Sequence, residues 1–456
     1  MVTQNVINKI KDMILKIKEG SENYAATIVE INSIFPIEGA DRIVRTNVFG
    51  NDIIVSKDVK IGDKMIYFVS GTKLSPEFCK YNNLLTDKEQ NNDKTKTGYI
   101  SPKQFRVKAI KLKGIISDGI LMPISSLEYI YQQIRLVLQL GDTFTDIGDI
   151  SICEKYIVPV VRNSSPGVGI PKQPKKFNRI LDNQFHFHND TSNLRKNMHK
   201  LNPDDIIGIH YKKHGTSAVF ANIPTLRPLK WWEKILVKLG VNIDNKVYDI
   251  VYSSRTVIKN KYINLESNDG FYKEDIWGVV AKEIGHLIPK NWTIYGEIIG
   301  FTPNGNYIQK GYDYGCKSEE HKFYVYKISV VNPDGKVIYL TDKQIEEYCE
   351  KVGLLYKDTF TYYGKASDYY DGNITEGAIS KTKPEEWRNT FLEILEKTYN
   401  EKDCYICVNK VPEEGIVLRI EKLEEYEAYK LKSKRFILGE SEAQEKGETN
   451  LEDNQE

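Results

Sequence analysis

A lysine followed closely by a histidine and a glycine is the first feature of this sequence that predicts covalent chemistry. The stretch Lys212-Lys213-His214-Gly215 lies between two apolar runs of β type. A lysine amine at the end of a strand can act as a nucleophile once it loses its proton, and nearby cations or a metal favour that loss. Taken alone, the pattern also fits a solvated basic turn.

Further segments with chemically useful side chains follow in a definite order along the chain. They are Ser253-Ser254-Arg255-Thr256, Tyr295-Gly296-Glu297, Ile308-Gln309-Lys310, Asp313-Tyr314-Gly315, Phe323-Tyr324-Val325-Tyr326, Glu414-Gly415-Ile416-Val417-Leu418 and Tyr429-Lys430-Leu431-Lys432. Lys430 and Lys432 are two residues apart on a predicted strand, so their side chains face the same way. Two such cations can stabilise the negative charge of a phosphoryl transition state, although a solvated basic strand is the alternative.

This ordered set resembles the motifs of the covalent nucleotidyltransferases, the superfamily of polynucleotide ligases and RNA capping enzymes. Within it, the sequence is most similar to the RNA ligases that seal nicks in duplex RNA. The resemblance covers about residues 203–436. It implies an ATP-dependent RNA ligase that joins 3′-hydroxyl and 5′-phosphate ends through a lysine–AMP intermediate and an adenylylated 5′ end.

The resemblance also implies a role for individual residues. It makes Lys212 the nucleophile and gives Lys430, Lys432 and Glu414 further catalytic roles. The nucleotide is expected to contact all four and also Tyr211, His214, Gly215, Arg255, Glu297 and Tyr326. Ser217 and Arg255 are expected to contact the nucleic acid, and Glu297 and Glu414 to hold Mg²⁺ or Mn²⁺ through water. The alternatives are structural ion pairs for Glu297 and Glu414, a core position for Tyr326 and a surface salt bridge for Arg255.

Two positions depart from the family pattern near the nucleotide base. An acidic residue often precedes the nucleophile and recognises the adenine amino group, but Tyr211 stands there in this chain. An acidic residue commonly follows the stacking aromatic, but here that residue is Lys327. The resemblance therefore leaves open how this chain would choose ATP over GTP.

The first part of the chain has a different sequence pattern, with short β-type runs separated by Gly and Asp turns. Such runs predict a small antiparallel barrel. The segments 26–31 and 36–43, with Ile61-Gly62-Asp63, resemble the N-terminal OB-fold domain of one branch of these ligases. We expect this domain to bind nucleic acid through cations that alternate along one predicted strand, with a solvated β face as the alternative. These cations are Arg106, Lys108, Lys111 and Lys113.

The predicted fold class is α+β, with the OB-like barrel followed by a nucleotidyltransferase domain of antiparallel sheets with flanking helices. The predicted domains are an N-terminal helix at 1–21, the OB-like domain at 22–150, a linker at 151–176, the nucleotidyltransferase domain at 177–438 and an acidic disordered tail at 439–456. Helices are expected at 127–140, after the Thr341 capping box up to Gly353, and after Pro384.

Composition limits the kind of partner. Lys and Arg number 64 against 63 Asp and Glu, so bulk charge does not make the chain a polyanion binder. Six cysteines among 456 residues do not make a disulfide framework, which favours a reducing, cytoplasmic setting. No apolar run is long enough to span a bilayer, so no membrane partner is expected. The expected partner is RNA, as a nicked duplex, free ends or an RNA/DNA hybrid, bound by a monomer.

Three other functions remain open. An mRNA capping guanylyltransferase uses the same lysine chemistry on GTP, and a DNA ligase uses it on DNA. Both usually carry an OB domain after the Lys-x-Lys motif, whereas only 24 residues follow Lys432 here. The third alternative is a non-catalytic RNA-binding protein, against which the series of intact motifs argues.

Overall fold

The computed structural model describes residues 11–158, 180–188, 190–259, 274–356, 362–373, 384–422 and 425–446. The chain divides into two compact units. Unit 1 consists of residues 1–158, 195–198 and 432–448, and unit 2 consists of residues 159–194, 199–431 and 449–456. Residues 159–176 of the predicted linker and the first ten residues lie outside the described residues.

Unit 1 is built from short strands with few helices. Its strands are β1 Leu15–Lys16, β2 Ala26–Glu30, β3 Phe35–Pro36, β4 Ile43–Val48, β5 Asn51–Ser56, β6 Lys64–Phe68, β7 Thr72–Leu74, β8 Ala109–Leu112, β9 Ile115–Asp118, β10 Ile120–Pro123, β11 Thr143–Phe144, β12 Asp146–Ile147, β13 Ile150–Ser151 and β14 Cys153–Lys155. Its helices are α1 Pro76–Tyr81, α2 Ile134–Val137 and, from the chain end, α9 Lys434–Glu445.

The strands of unit 1 pair antiparallel in several small sheets. The largest has the order β10-β6-β2-β11, and β3-β4-β5 and β1-β12-β13 form two more. Alternation along β2 places Ile28 in one apolar cluster and Val29 in another, so that the two faces of the strand are both buried. This arrangement explains why Ile28 and Val29 are adjacent apolar residues rather than an apolar residue alternating with a polar one.

Three boundary predictions for this unit are wrong. The N-terminal helix gives way to β1 at Leu15, before residue 21. Only Ile134–Val137 forms an α-helix within the helix expected at 127–140. The linker begins later than residue 151, because β14 pairs with β7.

The predicted disordered tail also begins too early. Helix α9 continues to Glu445, opened by Ser433, whose Oγ accepts a hydrogen bond from the backbone N–H of Phe436 at 3.1 Å. Phe436 and Ser441 are buried on it. Of the acidic residues that suggested disorder, Glu442 and Glu445 are exposed on this helix and Glu440 is ion-paired with Lys432, and residues 447–456 lie outside the described residues.

Unit 2 has longer strands. They are β15 Ser192–Asn193, β16 Ile206–Tyr211, β17 Thr216–Leu226, β18 Lys246–Ser253, β19 Ile258–Lys259, β20 Trp292–Gly300, β21 His321–Val331, β22 Val337–Tyr339, β23 Tyr362–Lys365, β24 Gly415–Glu421 and β25 Tyr426–Lys432, the last residue of which belongs to unit 1. The helices are α3 Leu194–Asn197, at the boundary of the units, α4 Trp231–Lys238, α5 Ile276–Ile284, α6 Asp342–Val352, α7 Ala366–Asn373 and α8 Pro384–Tyr399.

Two sheets form the frame of unit 2. One has the order β15-β25-β24-β16-β23 and the other the order β19-β18-β17-β20-β21-β22. All pairs are antiparallel except β15 with β25. Apolar side chains of α5 and α6 pack with those of β17, β20 and β21 in one buried cluster. The predicted α+β class of antiparallel sheets with flanking helices is confirmed.

Two local predictions for unit 2 are also confirmed. Thr341 caps α6 in a capping box with Gln344, and Gly353 ends the helix in a left-handed conformation with φ of 79°. Helix α8 begins at Pro384, as the position of proline in a first helical turn predicts.

Candidate nucleotide-binding site

The loop that carries Lys212 connects the two sheets of unit 2. It leaves β16 of the five-stranded sheet and enters β17 of the six-stranded sheet. The backbone N–H of Lys212 donates to the carbonyl of Gly415 at 2.9 Å, which continues the β16–β24 ladder by one residue. Gly215 is required by crowding, because a Cβ there would lie 2.3 Å from the carbonyl oxygen of Ile298. The loop is therefore held close to β20.

The Ile-Gln-Lys and Asp-Tyr-Gly segments support this loop. Gln309 Nε2 donates to the carbonyl of Gly215 at 2.7 Å, and the Tyr314 hydroxyl accepts from the backbone N–H of His214 at 2.6 Å. Asp313 accepts three backbone N–H groups, from Gly315, Val408 and Asn409. Burial opposes ionisation of Asp313, but these hydrogen bonds outweigh it and lower its pKa.

Lys212 and Lys213 are neighbours with different surroundings. Lys212 Nζ lies 2.9 Å from Oε1 of Glu414, a carboxylate with no exposed side-chain surface. Lys213 Nζ lies within 6 Å of the ring centroids of four tyrosines, Tyr211, Tyr314, Tyr324 and Tyr405. Aromatic faces attract a cation, so these rings hold the Lys213 side chain in place.

Two buried glutamates flank the loop. Glu414 lies beside Lys212, and its Oε2 is 3.8 Å from Nδ1 of His214. Glu297, on β20, accepts the backbone N–H of Gly215 at 3.1 Å and lines the same cavity as Lys212. The ring of His214 meets Tyr312 edge to face, with centroids 4.9 Å apart. Lys212, His214, Gly215, Glu297 and Glu414 are thus brought together.

The cavity next to Lys212 has an aromatic wall. Tyr326 is the extra residue of a bulge in β21, because Tyr295 pairs with Lys327 and Gly296 pairs with Val325. Tyr326 lines the cavity, and its hydroxyl lies 3.2 Å from Ser217 Oγ. Val417 of β24 and Tyr211 also line it.

His188 lies beside this aromatic wall. Its ring is 5.0 Å from that of Tyr326, edge to face. Burial, with the positive charge of Lys327, lowers the pKa of His188 well below its ordinary value, which favours the neutral imidazole.

Arg255 and Lys430 converge on one carboxylate. Asp190 Oδ2 lies 3.2 Å from Arg255 Nη2, and Oδ1 lies 2.9 Å from Lys430 Nζ. Asp190 and Arg255 line the cavity with Lys212. The carboxylate holds two cations where a phosphate group would also be attracted. Lys432, in contrast, belongs to unit 1, where its Nζ is 3.1 Å from Oε2 of Glu440 in α9.

The other end of the cavity contains a buried charge cluster. Asp342 Oδ2 lies 2.5 Å from Nε2 of His210, and its Oδ1 lies 3.3 Å from Nη1 of Arg419. Burial raises the pKa of Asp342, but His210 and Arg419 outweigh that effect and lower it to about 2. Glu421 completes the cluster 3.1 Å from Arg419 Nη2, and Tyr356 lines the cavity beside it.

The four predicted nucleic-acid cations all lie in unit 1. Arg106 is buried and donates to Gln444 and, at 3.5 Å, to the carbonyl of Ser441, so it holds α9. Lys108 is ion-paired with Glu445 of the same helix. Lys111 and Lys113 are exposed at the β8–β9 hairpin. Only this second pair presents its charge to solvent, and its role remains a prediction.

The donor set suits a cation bound largely through water. Among the described ranges, no group of three or more His, Cys, Asp or Glu side chains is arranged to hold a metal. Glu297 and Glu414 nevertheless place carboxylate oxygens at the Lys212 loop. Mg²⁺ is commonly held by one or two carboxylates together with water and substrate phosphates, and this pair fits that pattern.

Known proteins match the N-terminal part of the chain and the chain as a whole in separate comparisons. Residues 25–124 match the family model of an OB-fold domain. No curated protein sequence is significantly similar to the chain. A mutant of the Naegleria gruberi RNA ligase without ligand matches with a TM-score of 0.55 and 16% identity, over 92% of this chain and 99% of that chain. The same ligase with PPi matches with a TM-score of 0.52 and 17% identity, over 93% and 99% of the two chains.

This chain has the fold of an RNA ligase, with an OB-fold domain at its N-terminus. A mutant of the Naegleria ligase with AMP and Mn agrees, with a TM-score of 0.53 and 16% identity over 90% of this chain and 97% of that chain. At 16–17% sequence identity, these similarities show a shared fold. No helix in the described part of the chain has the length and apolarity that crossing a bilayer requires.

Several cavity residues of this ligase fold escaped the sequence analysis. His210 could have been predicted from the sequence, because it lies two residues before Lys212 on a strand and so shares its face. His188, Asp190 and Asp342 carry no such signal, since loops and a helix start bring them in from distant parts of the sequence. Their contacts depend on the fold.

Proposed function

We propose that this protein is an ATP-dependent RNA ligase that forms a covalent lysine–AMP intermediate on Lys212. The observation that carries the proposal is the 2.9 Å contact between Lys212 Nζ and the buried Glu414, beside a cavity lined by Tyr326, Glu297 and Arg255. The similar Naegleria ligase has been solved with ATP and Mn and with AMP and Mn, which supports an adenine nucleotide as the ligand.

The reaction is a sequence of three in-line phosphoryl transfers. Lys212 Nζ attacks the α-phosphorus of ATP, a P–N bond forms, and pyrophosphate leaves. The 5′-phosphate of RNA then attacks the phosphoramidate, which regenerates the amine and leaves AMP on the RNA end. A 3′-hydroxyl finally attacks that end, forms the phosphodiester and releases AMP.

Lys212 must lose its proton before the first step. In its ion pair with Glu414 the amine is an ammonium, which has no lone pair for attack. Glu414 is the carboxylate closest to that proton among the contacts described above and is placed to accept it. A bound divalent cation, contacted by Glu414 and Glu297 through water, would supply positive charge against the triphosphate and the carboxylates.

The remaining cavity residues suit binding and charge stabilisation. Tyr326 offers a ring face for the base opposite Val417, and Glu297 offers acceptors for ribose hydroxyls. Arg255 and Lys430, held together by Asp190, offer positive charge to the phosphates. Because Asp190 already brings the two cations together, little reorganisation is needed when a phosphate arrives.

The acceptor is proposed to be an RNA end, above all a nick in a duplex. OB-fold domains track nucleic-acid backbones with cationic grooves, and the exposed Lys111 and Lys113 supply such charge in unit 1. Arg106 and Lys108 contribute by holding α9.

The first test asks which lysine carries the nucleotide. The protein is incubated with ATP labelled at the α-phosphate and a divalent metal, and the adducted peptide is mapped. We expect AMP on Lys212 and no adduct in Lys212→Ala. Lys213→Met is the matched control, and it should keep the adduct because Lys213 Nζ sits among tyrosine rings. AMP mapped to Lys213 would refute the assignment.

The second test compares nucleotides and acceptors. ATP should label the protein and GTP should not, whereas the reverse result would favour a capping guanylyltransferase. Sealing should be strongest for a nicked RNA duplex, and replacing each strand in turn with DNA measures the tolerance for hybrids. Sealing of nicked DNA alone would favour a DNA ligase. A folded protein that binds RNA without forming any adduct would leave only a binding role.

A further inference from the structure

The cavity continues beyond Lys212 along one face of β16. Side chains alternate along a strand, so His210 shares the face of Lys212, about 6.6 Å away along the backbone. Gly208 lies a further two residues away, and a Cβ there would lie 1.8 Å from Oδ2 of Asp342. The missing side chain at Gly208 therefore makes room for Asp342. The row of positions Lys212, His210 and Gly208 on this face of β16 thus ends at the Asp342 carboxylate.

A nucleotide anchored at Lys212 would extend along this row. Arg255 and Lys430 would attract the phosphates, so we expect an α-phosphate at Lys212 to leave the base on the side of His210 and Asp342. Val417 pairs directly with His210 across the β16–β24 ladder, and Tyr326 lines the same cavity. An apolar and an aromatic side chain along the row, with a polar end, match a flat base whose edge carries polar atoms.

Asp342 is a rigid hydrogen-bond acceptor at this end. It is the first residue of α6, directly after the capping-box residue Thr341, and its side chain is only 4% exposed. His210 and Arg419 each contact it, and together they keep it ionised. The Tyr356 hydroxyl is a third partner. An ionised carboxylate accepts at about four positions and cannot donate, so these three partners leave room for one more donor.

We propose that Asp342 selects adenine by accepting a hydrogen bond from its exocyclic 6-amino group, with His210 and Arg419 as positioning residues. This inference rests on the proposed function. Adenine carries a donor at position 6, whereas guanine and hypoxanthine carry a carbonyl oxygen there. A fixed carboxylate attracts the amino group and repels the carbonyl. Asp342 would then perform the recognition for which Tyr211, in place of an acidic residue, has no carboxylate.

The test compares ATP with ITP, which differ only along one edge of the base: ITP carries a carbonyl in place of the 6-amino group and a proton on N1 in place of a lone pair. Binding is measured in Lys212→Ala protein by displacement of a fluorescent ATP analogue, so that no chemistry intervenes. We expect ATP to bind roughly tenfold to a hundredfold more tightly than ITP, the range for loss of one good base contact. Adding Asp342→Asn should reduce this ratio to about threefold or less, because an amide can also donate to the carbonyl.

The ratio within one protein is insensitive to how much of the sample is folded, which matters because Asp342 contacts two buried partners. Asp275→Asn is the matched control, since Asp275 is also a buried aspartate at a helix start, where it accepts from Gly278, but does not line the cavity. It should leave the ratio unchanged.

Each outcome has a distinct meaning. An ATP-to-ITP ratio that Asp342→Asn does not change, while ATP still binds and Lys212 is still adenylylated in the unsubstituted protein, overturns the inference and leaves the proposed function standing. Failure of ATP to bind and of Lys212 to be adenylylated overturns both. A reduced ratio in Asp342→Asn with an unchanged ratio in Asp275→Asn supports the inference.

Discussion

Lys327 is a buried cation whose removal should change how the stability of unit 2 depends on pH. Burial and the charge of Arg419 lower its pKa from 10.5 to about 7. At about 1.36 kcal/mol per pKa unit, this difference corresponds to about 5 kcal/mol. The ring of Tyr295, 3.7 Å from Lys327 Nζ, favours the charged form by up to about 2 kcal/mol, so the cost of the buried charge lies between about 3 and 5 kcal/mol, and any such gain moves the folded pKa back toward its ordinary value.

The direction of the pH dependence follows from the number of protons that the folded and the unfolded chain bind. Below pH 7 the lysine is protonated both folded and unfolded, so the full cost of burying the charge is present. Between pH 7 and about 10.4 the unfolded chain binds more protons than the folded one, and stability therefore rises with pH. Above that range Lys327 is neutral in both the folded and the unfolded chain, and the cost of burying its charge is absent.

The assay follows thermal unfolding of the full-length protein between pH 6 and pH 10.5. Lys327→Met, which keeps an unbranched side chain without charge, should melt higher than the unsubstituted protein at pH 6. A change of 1 kcal/mol shifts the midpoint of a domain of this size by about 2–4 °C, so the gap should be about 6–20 °C. Lys327→Arg is the control, because arginine cannot lose its proton and should remain destabilised throughout.

The gap between Lys327→Met and the unsubstituted protein should shrink steadily as the pH approaches 10.5. A gap that stays constant across this range would mean that Lys327 keeps its ordinary pKa, and the reasoning from burial would be refuted. A gap of opposite sign at pH 6 would mean that the aromatic contacts outweigh the desolvation.

Other perturbations test the proposed chemistry. Lys430→Ala and Lys432→Ala should each lower adenylylation by roughly 10²–10³ through loss of a transition-state charge contact, with unchanged melting as the control; near-normal adenylylation in both would contradict the assignment. Gly215→Ala should abolish adenylylation and lower the melting temperature, because the added Cβ meets a strand carbonyl; a fully active variant would show that the loop can relax. Replacing Lys111 and Lys113 with Ala should leave adenylylation intact while reducing sealing and its salt dependence; equal loss of both activities would contradict an RNA-binding role.

The strands of unit 1 could be predicted where local pattern and burial agree. The runs at β2, β4, β5 and β6 are bounded by turn residues, and most of their apolar residues are buried as expected. The cations after Phe105 were harder to interpret, because alternation alone does not say what covers each face. Helix α9, more than 300 residues later in the sequence, covers the face of Arg106 and Lys108.

The Lys212 site could be predicted in part for a related reason. Residues within compact motifs, such as His214 and Gly215, were identified from their neighbours in sequence. Asp190 and Asp342 reach the cavity only through the pairing of distant strands and the start of a helix. Asp342 could be placed at a helix start from the capping box, but its contact with His210 depends on how α6 packs against the sheet.

The discontinuity of unit 1 has a consequence for synthesis of the protein. Residues 1–158 leave the ribosome before unit 2, yet α9, which covers Arg106 and Lys108, is made only after nearly all of unit 2. While about 270 residues of unit 2 are translated, the nascent OB-fold region therefore lacks α9, and Arg106 and the surface that α9 will cover stay exposed. At roughly 5–20 residues per second this interval lasts tens of seconds at the slower rates. Completion of unit 1 must therefore await translation of unit 2, and loss of α9 would damage a domain most of which is made before unit 2.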